Sequence, residues 1–278
     1  MKAAAFAYER PADLNAALAL MAAADGMTKI IAGGQSLGPM LNLRLVEPDL
    51  IVDISGLSEL KQAERSGDEL VVGACITHGD IEDGRIPDVT RGAMRRVAGA
   101  IAYRAVRNRG TIGGSLSHAD PAADWISALA ALGAKVTLRS LAGTRNLAIE
   151  DFITGALESA LQPGEIVEAV RVPAMTPSAR WGYVKACRKP GEFAHAIAVV
   201  LIDPESATAR AVIGAVEATP IVVGDAAALF GGRVTGDFAR QFDARVADAI
   251  LMKAGIADAA DRHIHVAVLR RAVVEAST

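Results

Sequence analysis

The sequence predicts an α+β protein built of two domains. Three observations carry that prediction. The 278 residues exceed one typical domain of about 150 residues. Pro173 and Pro177 interrupt the pattern across residues 173–178 and mark a boundary. Beyond it, strand-like runs at 179–187, 196–202 and 209–216 precede helical runs at 238–254 and 259–276. Strands and helices gathered in separate blocks are the mark of an α+β domain.

The N-terminal part alternates short apolar runs with helical ones. Residues 6–8 read as a strand, followed by Pro11 and then Asp13 ahead of an Ala- and Leu-rich helix over 14–24. Asp25-Gly26 ends that helix, and 28–32 (TKIIA) is a buried strand. Pro48 and Ser55-Gly56 bracket a second strand, 49–54 (DLIVDI). Residues 61–74 form a hairpin around Ser66-Gly67-Asp68. Helices follow over 91–100 (RGAMRRVAGA) and 121–132 (PAADWISALAAL). Pro121 suits the first turn of the latter, where a missing N–H costs little, and Gly133 stops it. A hairpin then runs over 134–139 and 144–149, around Ala142-Gly143.

Composition narrows the function. With 29 basic and 32 acidic side chains the net charge is −3, and no basic block offers a surface for nucleic acid. A 51% hydrophobic, 22% charged chain buries a core and is not disordered. Cys75 and Cys187 are too few for a disulfide scaffold and lack C-x-x-C spacing, which fits a reducing cytosol. Glu9 and Arg10 break the apolar run that a signal peptide needs. No stretch approaches the roughly 18 apolar residues of a membrane span.

Two glycine-bearing segments carry the chemistry. In Ile30-Ile31-Ala32-Gly33-Gly34-Gln35-Ser36-Leu37-Gly38 a short strand enters a Gly-Gly turn and a helix opens after it. Such a turn lets the backbone approach a ligand, and its free N–H groups form a nest for phosphate oxygens. A tight strand-to-helix turn with no ligand is the plain alternative. The second segment, residues 107–124, gathers Gly110, Thr111, Gly113, Gly114, Ser115, His118, Asp120 and Asp124. Thr111 and Ser115 flank the Gly113-Gly114 pair, which reads as hydroxyl and backbone recognition of a polar ligand. One of Asp120 and Asp124 is read as a helix cap and the other as an acceptor for ligand hydroxyls.

Ordinary nucleotide folds are disfavoured. G-x-G-x-x-G is absent, and Gly79-Asp80-Ile81-Glu82-Asp83-Gly84-Arg85-Ile86 lacks the Lys and Ser/Thr of a phosphate-gripping P-loop. His263 and His265 lie two apart on a helix and face different sides, a poor metal pair. His78 reads as a capping-region residue and His195 as a strand-edge residue. Cys75 and Cys187 read as small hydrophobes, and Trp125 and Trp181 as core or interface. Arg91, Arg95, Arg96, Arg104, Arg107 and Arg109 form a basic cluster that serves either a negative partner, a diphosphate or a solvated face.

AGGQS at 32–36, followed by RNRGTIGGS at 107–115 and ADPAAD at 119–124, resembles the FAD-binding medium subunit of the molybdenum hydroxylases, the carbon monoxide dehydrogenase and xanthine dehydrogenase relatives. The resemblance spans the whole chain. It implies a PCMH-type (vanillyl-alcohol-oxidase-like) FAD-binding fold over 1–175, with subdomains of about 1–58 and 59–175, and a C-terminal α+β domain over 176–278. Non-covalent FAD would rest on Lys29, Ile30, Ile31, Ala32, Gly33, Gly34, Gln35, Ser36 and Leu37 at the diphosphate. Thr111, Gly113, Gly114 and Ser115 would form a second clamp. The resemblance further places Ile101 and Ala102 on the flavin side, Asp124 at the adenosine end, Ile166 against the cofactor, and Lys185 near the flavin, where its charge favours the reduced anion.

The same resemblance implies an oxidoreductase subunit without catalytic acid–base residues. A large subunit would hold the molybdenum cofactor and a small subunit the 2Fe–2S clusters, since two cysteines are too few for a Cys₄ site. Electrons would pass to an external acceptor: NAD, quinone, oxygen or another. The implied assembly is a cytoplasmic heterotrimer. Gln35 and Ser115 stand where some relatives carry His and Asn, and both still donate to phosphate oxygens. Phe193 stands where some carry an aromatic hydroxyl, and it cannot donate. A self-sufficient flavin oxidase or reductase of the same fold, and a non-redox nucleotide-binding module, are the alternative readings.

Overall fold

The structure, a computed structural model, describes residues 2–232, 234 and 236–278. Asp13 opens the first helix by accepting the Ala16 N–H at 2.8 Å. The helix, α1 (Leu14–Ala23), buries Leu14, Ala17 and Leu18. It covers a parallel sheet of β1 (Ala7–Glu9), β3 (Leu50–Asp53) and β2 (Thr28–Ile31), in the order β1-β3-β2. After β2 the chain turns into α2 (Leu37–Asn42). Leu57, Leu60, Cys75 and Ile166 complete this core. Cys75 is a structural thiol: its Sγ donates to the Ile54 carbonyl, and burial pushes its pKa up to about 12.

The middle of the chain builds a second, antiparallel sheet. The hairpin β4 (Ala63–Ser66) and β5 (Glu69–Gly73) is followed by α3 (His78–Glu82), α4 (Ala93–Ala100), α5 (Arg104–Arg107), α6 (Ile112–His118) and α7 (Asp124–Ala131). Then come the hairpin β6 (Lys135–Ser140) and β7 (Gly143–Ala148), the short α8 (Ile149–Phe152), the pair β8 (Ile153–Gly155) and β9 (Glu158–Ser159), and β10 (Ile166–Pro173). The sheet order is β4-β5-β10-β6-β7. The central strand β10 went unread in the sequence. Its β-branched pattern IVEAVRV carries the signal, but a bulge between Val167 and Ala169 breaks the alternation.

The C-terminal sheet runs β11 (Arg180–Ala186), β12 (Ala196–Asp203), β13 (Thr208–Gly214) and β14 (Ile221–Val223), all antiparallel. All eight residues of β12 are buried, because α7 packs on one side of the sheet and α10 (Ala259–Ala276) on the other. Helix α7 is itself buried throughout, Trp125 included, where the middle and C-terminal sheets meet. A 3-10 turn (Phe238–Gln241) and α9 (Ala244–Lys253) close the outer core around Phe230, Phe238 and Phe242.

Two helix expectations need correction. The run 238–254 is not one helix, because Phe242 inserts into the core and Asp243 caps a fresh start by accepting the Arg245 N–H. The helix expected from Pro121 begins at Asp124 instead. Asp120 accepts the Ala122 N–H, folding a turn, and the Pro121 carbonyl is taken by the Ala215 N–H of the C-terminal sheet. Among the described residues, no helix is long and apolar enough to cross a membrane.

The seat of α10 on β11 depends on Gly182, where a Cβ would lie 2.0 Å from the Ala272 carbonyl oxygen. Gly182→Ala must push the helix outward, and overpacking of this kind costs about 1–3 kcal/mol. Urea denaturation should show that loss as a lower midpoint.

Candidate functional site

The two glycine segments meet. Gly33 packs on the backbone that leads into the second segment, so that a Cβ there would lie 2.0 Å from the Arg109 carbonyl oxygen and 2.9 Å from Gly110 Cα. The Arg109 Nε–H also points to the Gly33 carbonyl, at 3.4 Å. Gly34 adopts φ +71°, a left-handed turn open to glycine at little cost. Among the described residues, no acceptor meets the backbone N–H groups of Gly33, Gly34, Gln35, Ser36 and Leu37. They lie on a half-buried face of the junction.

The second segment donates less than its glycines promise. It is a capped helix start: Thr111 is the N-cap of α6 and accepts the Gly114 N–H at 3.1 Å. The Gly113 N–H goes to the Ala74 carbonyl and the Ser115 N–H to the Thr111 carbonyl. What remains on the ligand side is the half-buried Ser115 hydroxyl. Side chains added at Gly33 and Gly114 would meet the protein itself. A Cβ at Gly33 meets the Arg109 backbone, and one at Gly114 lies 2.8 Å from Thr111 Oγ1. At Gly113 it would strike Ala74, 2.4 Å from its Cβ.

A groove of about 730 Å³ runs between α4–α5 and β11. Ala100, Ala102, Tyr103 and Arg107 line one side, Tyr183, Val184, Lys185 and Cys187 the other. Ala102 sits at φ +41°. Arg107 holds that turn, donating to the Ile101 and Ala102 carbonyls at 2.9 and 2.8 Å. Gly191 closes on its other side, where a Cβ would lie 2.9 Å from the Ala102 oxygen.

Each of the groove-wall cations Arg96, Arg104, Arg107 and Lys185 has a carboxylate partner, with Glu82 shared by two. Arg96 pairs with Glu275, Arg104 with Glu82 and Asp83, Arg107 with Glu82, and Lys185 with Asp124. Hydrogen bonding from Arg107, with Arg104 adding to it, holds Glu82 below the usual carboxylate range. The basic cluster is therefore largely committed within the chain. Arg95 donates to the Glu82 carbonyl, while the exposed Arg109 guanidinium remains beside Gly33.

Several expected residues occupy other places. Lys185 Nζ lies 3.0 Å from Asp124 Oδ1, and the Tyr183 hydroxyl donates to the same carboxylate. Lys185 and Asp124 were expected at opposite ends of a dinucleotide, and the structure joins them as one buried pair. Burial raises the Asp124 carboxyl, opposed by the Lys185 charge. Burial, reinforced by Asp124, raises the Tyr183 phenol. Ile166 belongs to the N-terminal core, 3% exposed, and does not line the groove. In β2, alternation leaves Lys29 exposed while Ile30 and Ala32 pack on that core. His195 is exposed, and His265 is buried on α10 while His263 is not. Tyr183 and Arg107 were missed as groove residues. The signal for Tyr183 was its i, i+2 spacing from Lys185, which puts both on one strand face.

His78 supports the junction from beneath. It is the first residue of α3, after the Thr77 cap. Its Nδ1 accepts the Trp125 Nε1–H at 3.1 Å, and its backbone N–H binds the Gly110 carbonyl. Burial, with the Arg107 charge acting the same way, lowers its pKa from 6.5 to about 4. Between those values the unfolded chain takes up a proton and the folded chain does not, so stability falls as pH drops through that window. The component amounts to about 3 kcal/mol at its acid end. Chemical denaturation against pH should show that His78→Gln, which keeps an acceptor for Trp125, flattens this slope. At the junction, Gly33→Ala should cost about 1–3 kcal/mol by forcing two backbones apart. Gly38→Ala, with nothing within 4 Å of the added Cβ, should be neutral or stabilising by up to about 1 kcal/mol.

Comparison with known proteins agrees with this geometry. Residues 4–175 match the family described as the FAD binding domain in molybdopterin dehydrogenase. The chain is 37% identical to the caffeine dehydrogenase subunit beta of Pseudomonas sp. (strain CBB1) over 225 residues, 80% of this chain and 76% of that one. It is 32% identical to the carbon monoxide dehydrogenase medium chain of Hydrogenophaga pseudoflava, over 71% of this chain and 69% of that one. Among solved structures, a carbon monoxide dehydrogenase from Hydrogenophaga pseudoflava that lacks the Mo-pyranopterin moiety of its molybdenum cofactor superposes with a TM-score of 0.88 at 29% identity, covering 99% of this chain and 98% of that one. Quinoline 2-oxidoreductase from Pseudomonas putida 86 gives a TM-score of 0.86 at 31% identity, covering 100% and 98%. A PCMH-type fold, a fan of free N–H groups and relatives of this similarity place the chain in one family: it is an FAD-binding medium subunit of the molybdenum hydroxylases.

Proposed function

We propose that this chain is the electron-transfer subunit of a multi-subunit molybdenum hydroxylase, taking electrons from the 2Fe–2S clusters of a small subunit and delivering them to an external acceptor. The observation that carries the reading is the set of backbone N–H groups at residues 33–37 that meet no acceptor among the described residues, in a chain whose residues 4–175 match an FAD-binding domain. A diphosphate on those N–H groups and a ring system in the groove is the arrangement we propose.

Bound FAD supplies the exchange of single electrons and electron pairs. The chain's residues bind and orient it. The N–H groups of Gly33 to Leu37 hold the diphosphate, with the Ser115 hydroxyl as a further donor. Thr111, Gly113 and Gly114 act at one remove, by building the α6 start on which Ser115 is carried. Ala102 and Lys185 line the groove proposed for the ring system. No acid–base step is asked of the chain. The two cysteines, one buried, cannot ligate a Cys₄ cluster. The clusters and the molybdenum cofactor therefore belong to the small and large partners, in a cytoplasmic complex. The domain division follows the same logic: 1–175 supplies the diphosphate site and one groove wall, and 176–278 the other wall.

Dialysis of the purified full chain against FAD should give a yellow protein with one flavin per chain. Gly34→Val forces a β-branched residue into the left-handed region and turns the N–H fan, a cost of about 1–3 kcal/mol. FAD affinity should fall about tenfold or more. Co-expression with small and large subunits should restore substrate-linked electron flow, whereas the lone chain should show little NAD(P)H turnover. A chain that stays colourless, or one that turns over rapidly alone, would overturn the proposal.

A further inference from the structure

The groove wall holds one charged pair that is largely buried. Lys185 and Asp124 have side chains only 8% exposed each, whereas Arg96 and Arg104 are about half exposed. Solvent and salt screen the outer pairs far more than the inner one. Lys185 Nζ also donates to the Ala100 carbonyl at 3.0 Å, so the ammonium is fixed from two sides. Asp124 does not line the groove. It opens α7 behind the wall, braced by the Tyr183 hydroxyl, with Tyr183 and Lys185 side by side on β11.

We infer that Asp124 is a positioning residue for the cofactor. Braced by Tyr183, it fixes the Lys185 ammonium at the groove wall and cancels its charge, so that the ring system meets a neutral pair in place of a bare cation. The inference rests on the reading that FAD occupies this groove. Its physical content is charge arithmetic. Reduction places negative charge on the ring system, and an uncompensated ammonium nearby favours the reduced form. The carboxylate therefore holds the potential below the value that Lys185 alone would set.

The test is a redox titration of the full chain loaded with FAD, followed by flavin absorbance. Asp124→Asn keeps the shape and removes the negative charge. The ratio of reduced to oxidised FAD at a fixed ambient potential should rise several-fold. The Asp124→Asn/Lys185→Met double variant, neutral again, should return toward wild type. A loss of packing would not produce this rise and return. Should Asp124→Asn fail to fold, Lys185→Met is compared with the double variant at alkaline pH. There the lone carboxylate ionises, and the single variant should titrate at the lower potential.

An Asp124→Asn potential that stays put or falls, in a protein whose flavin spectrum responds to Lys185→Met, overturns this inference and leaves the groove assignment standing. In the alkaline comparison, a Lys185→Met potential equal to or above that of the double variant does the same. If FAD binds normally and none of the three variants moves either spectrum or potential, the cofactor lies elsewhere, and the groove assignment itself falls.

Discussion

The site depends on a backbone contact with no room for a side chain. Gly33 lies against the Arg109 carbonyl so closely that a single methyl group would overlap it. The contact sets residues 33–37, whose N–H groups meet no acceptor among the described residues, against the backbone just before α6, and α5 lies between that contact and the groove-lining Ala102 and Tyr103. Glycine here serves packing first. The N–H groups proposed to hold a diphosphate meet no acceptor among the described residues, whereas the neighbouring glycines of α6 have theirs committed to Ala74 and Thr111.

Charge is handled with the same economy. The groove wall is cationic by composition, yet Arg96, Arg104, Arg107 and Lys185 each face a carboxylate of the chain. Exposed pairs of this kind contribute little stability. Their geometry does more: Arg107 pins two carbonyls at the strained Ala102 turn, and Arg96 ties α4 to the end of α10 through Glu275. The least screened of these pairs is the largely buried Lys185–Asp124.

Local chemistry made much of this legible in the sequence. Asp13 before an Ala-Leu run, Ser66-Gly67-Asp68 between apolar strands and Ala142-Gly143 in a hairpin each became the element they announced. The order AGGQS then RNRGTIGGS singled out two segments that do converge, though which donors are free depends on where Ala74 and Thr111 sit. Long-range packing was not legible. Nothing in IVEAVRV says that β10 threads between β5 and β6, and a bulge disguises its alternation. Nothing near Asp124 says that its partners lie on β11, some sixty positions later and one domain away. The Phe242 break in the C-terminal helical run is set by the core it enters.

The groove takes its walls from two separate stretches of the chain, within residues 96–107 and 183–191. Tyr183, Val184 and Lys185 come from β11 and Cys187 directly follows it, all past the last residue of the family match at 175. A fragment cut at that point would keep the loop junction and the Ala102 turn and lose the opposite face entirely. It would be a half-trough: a ligand held at the proposed diphosphate site would find no wall opposite Ala102 and Arg107. The small C-terminal sheet is therefore no appendage to the binding domain: it supplies the second wall of the trough proposed to take the ring system.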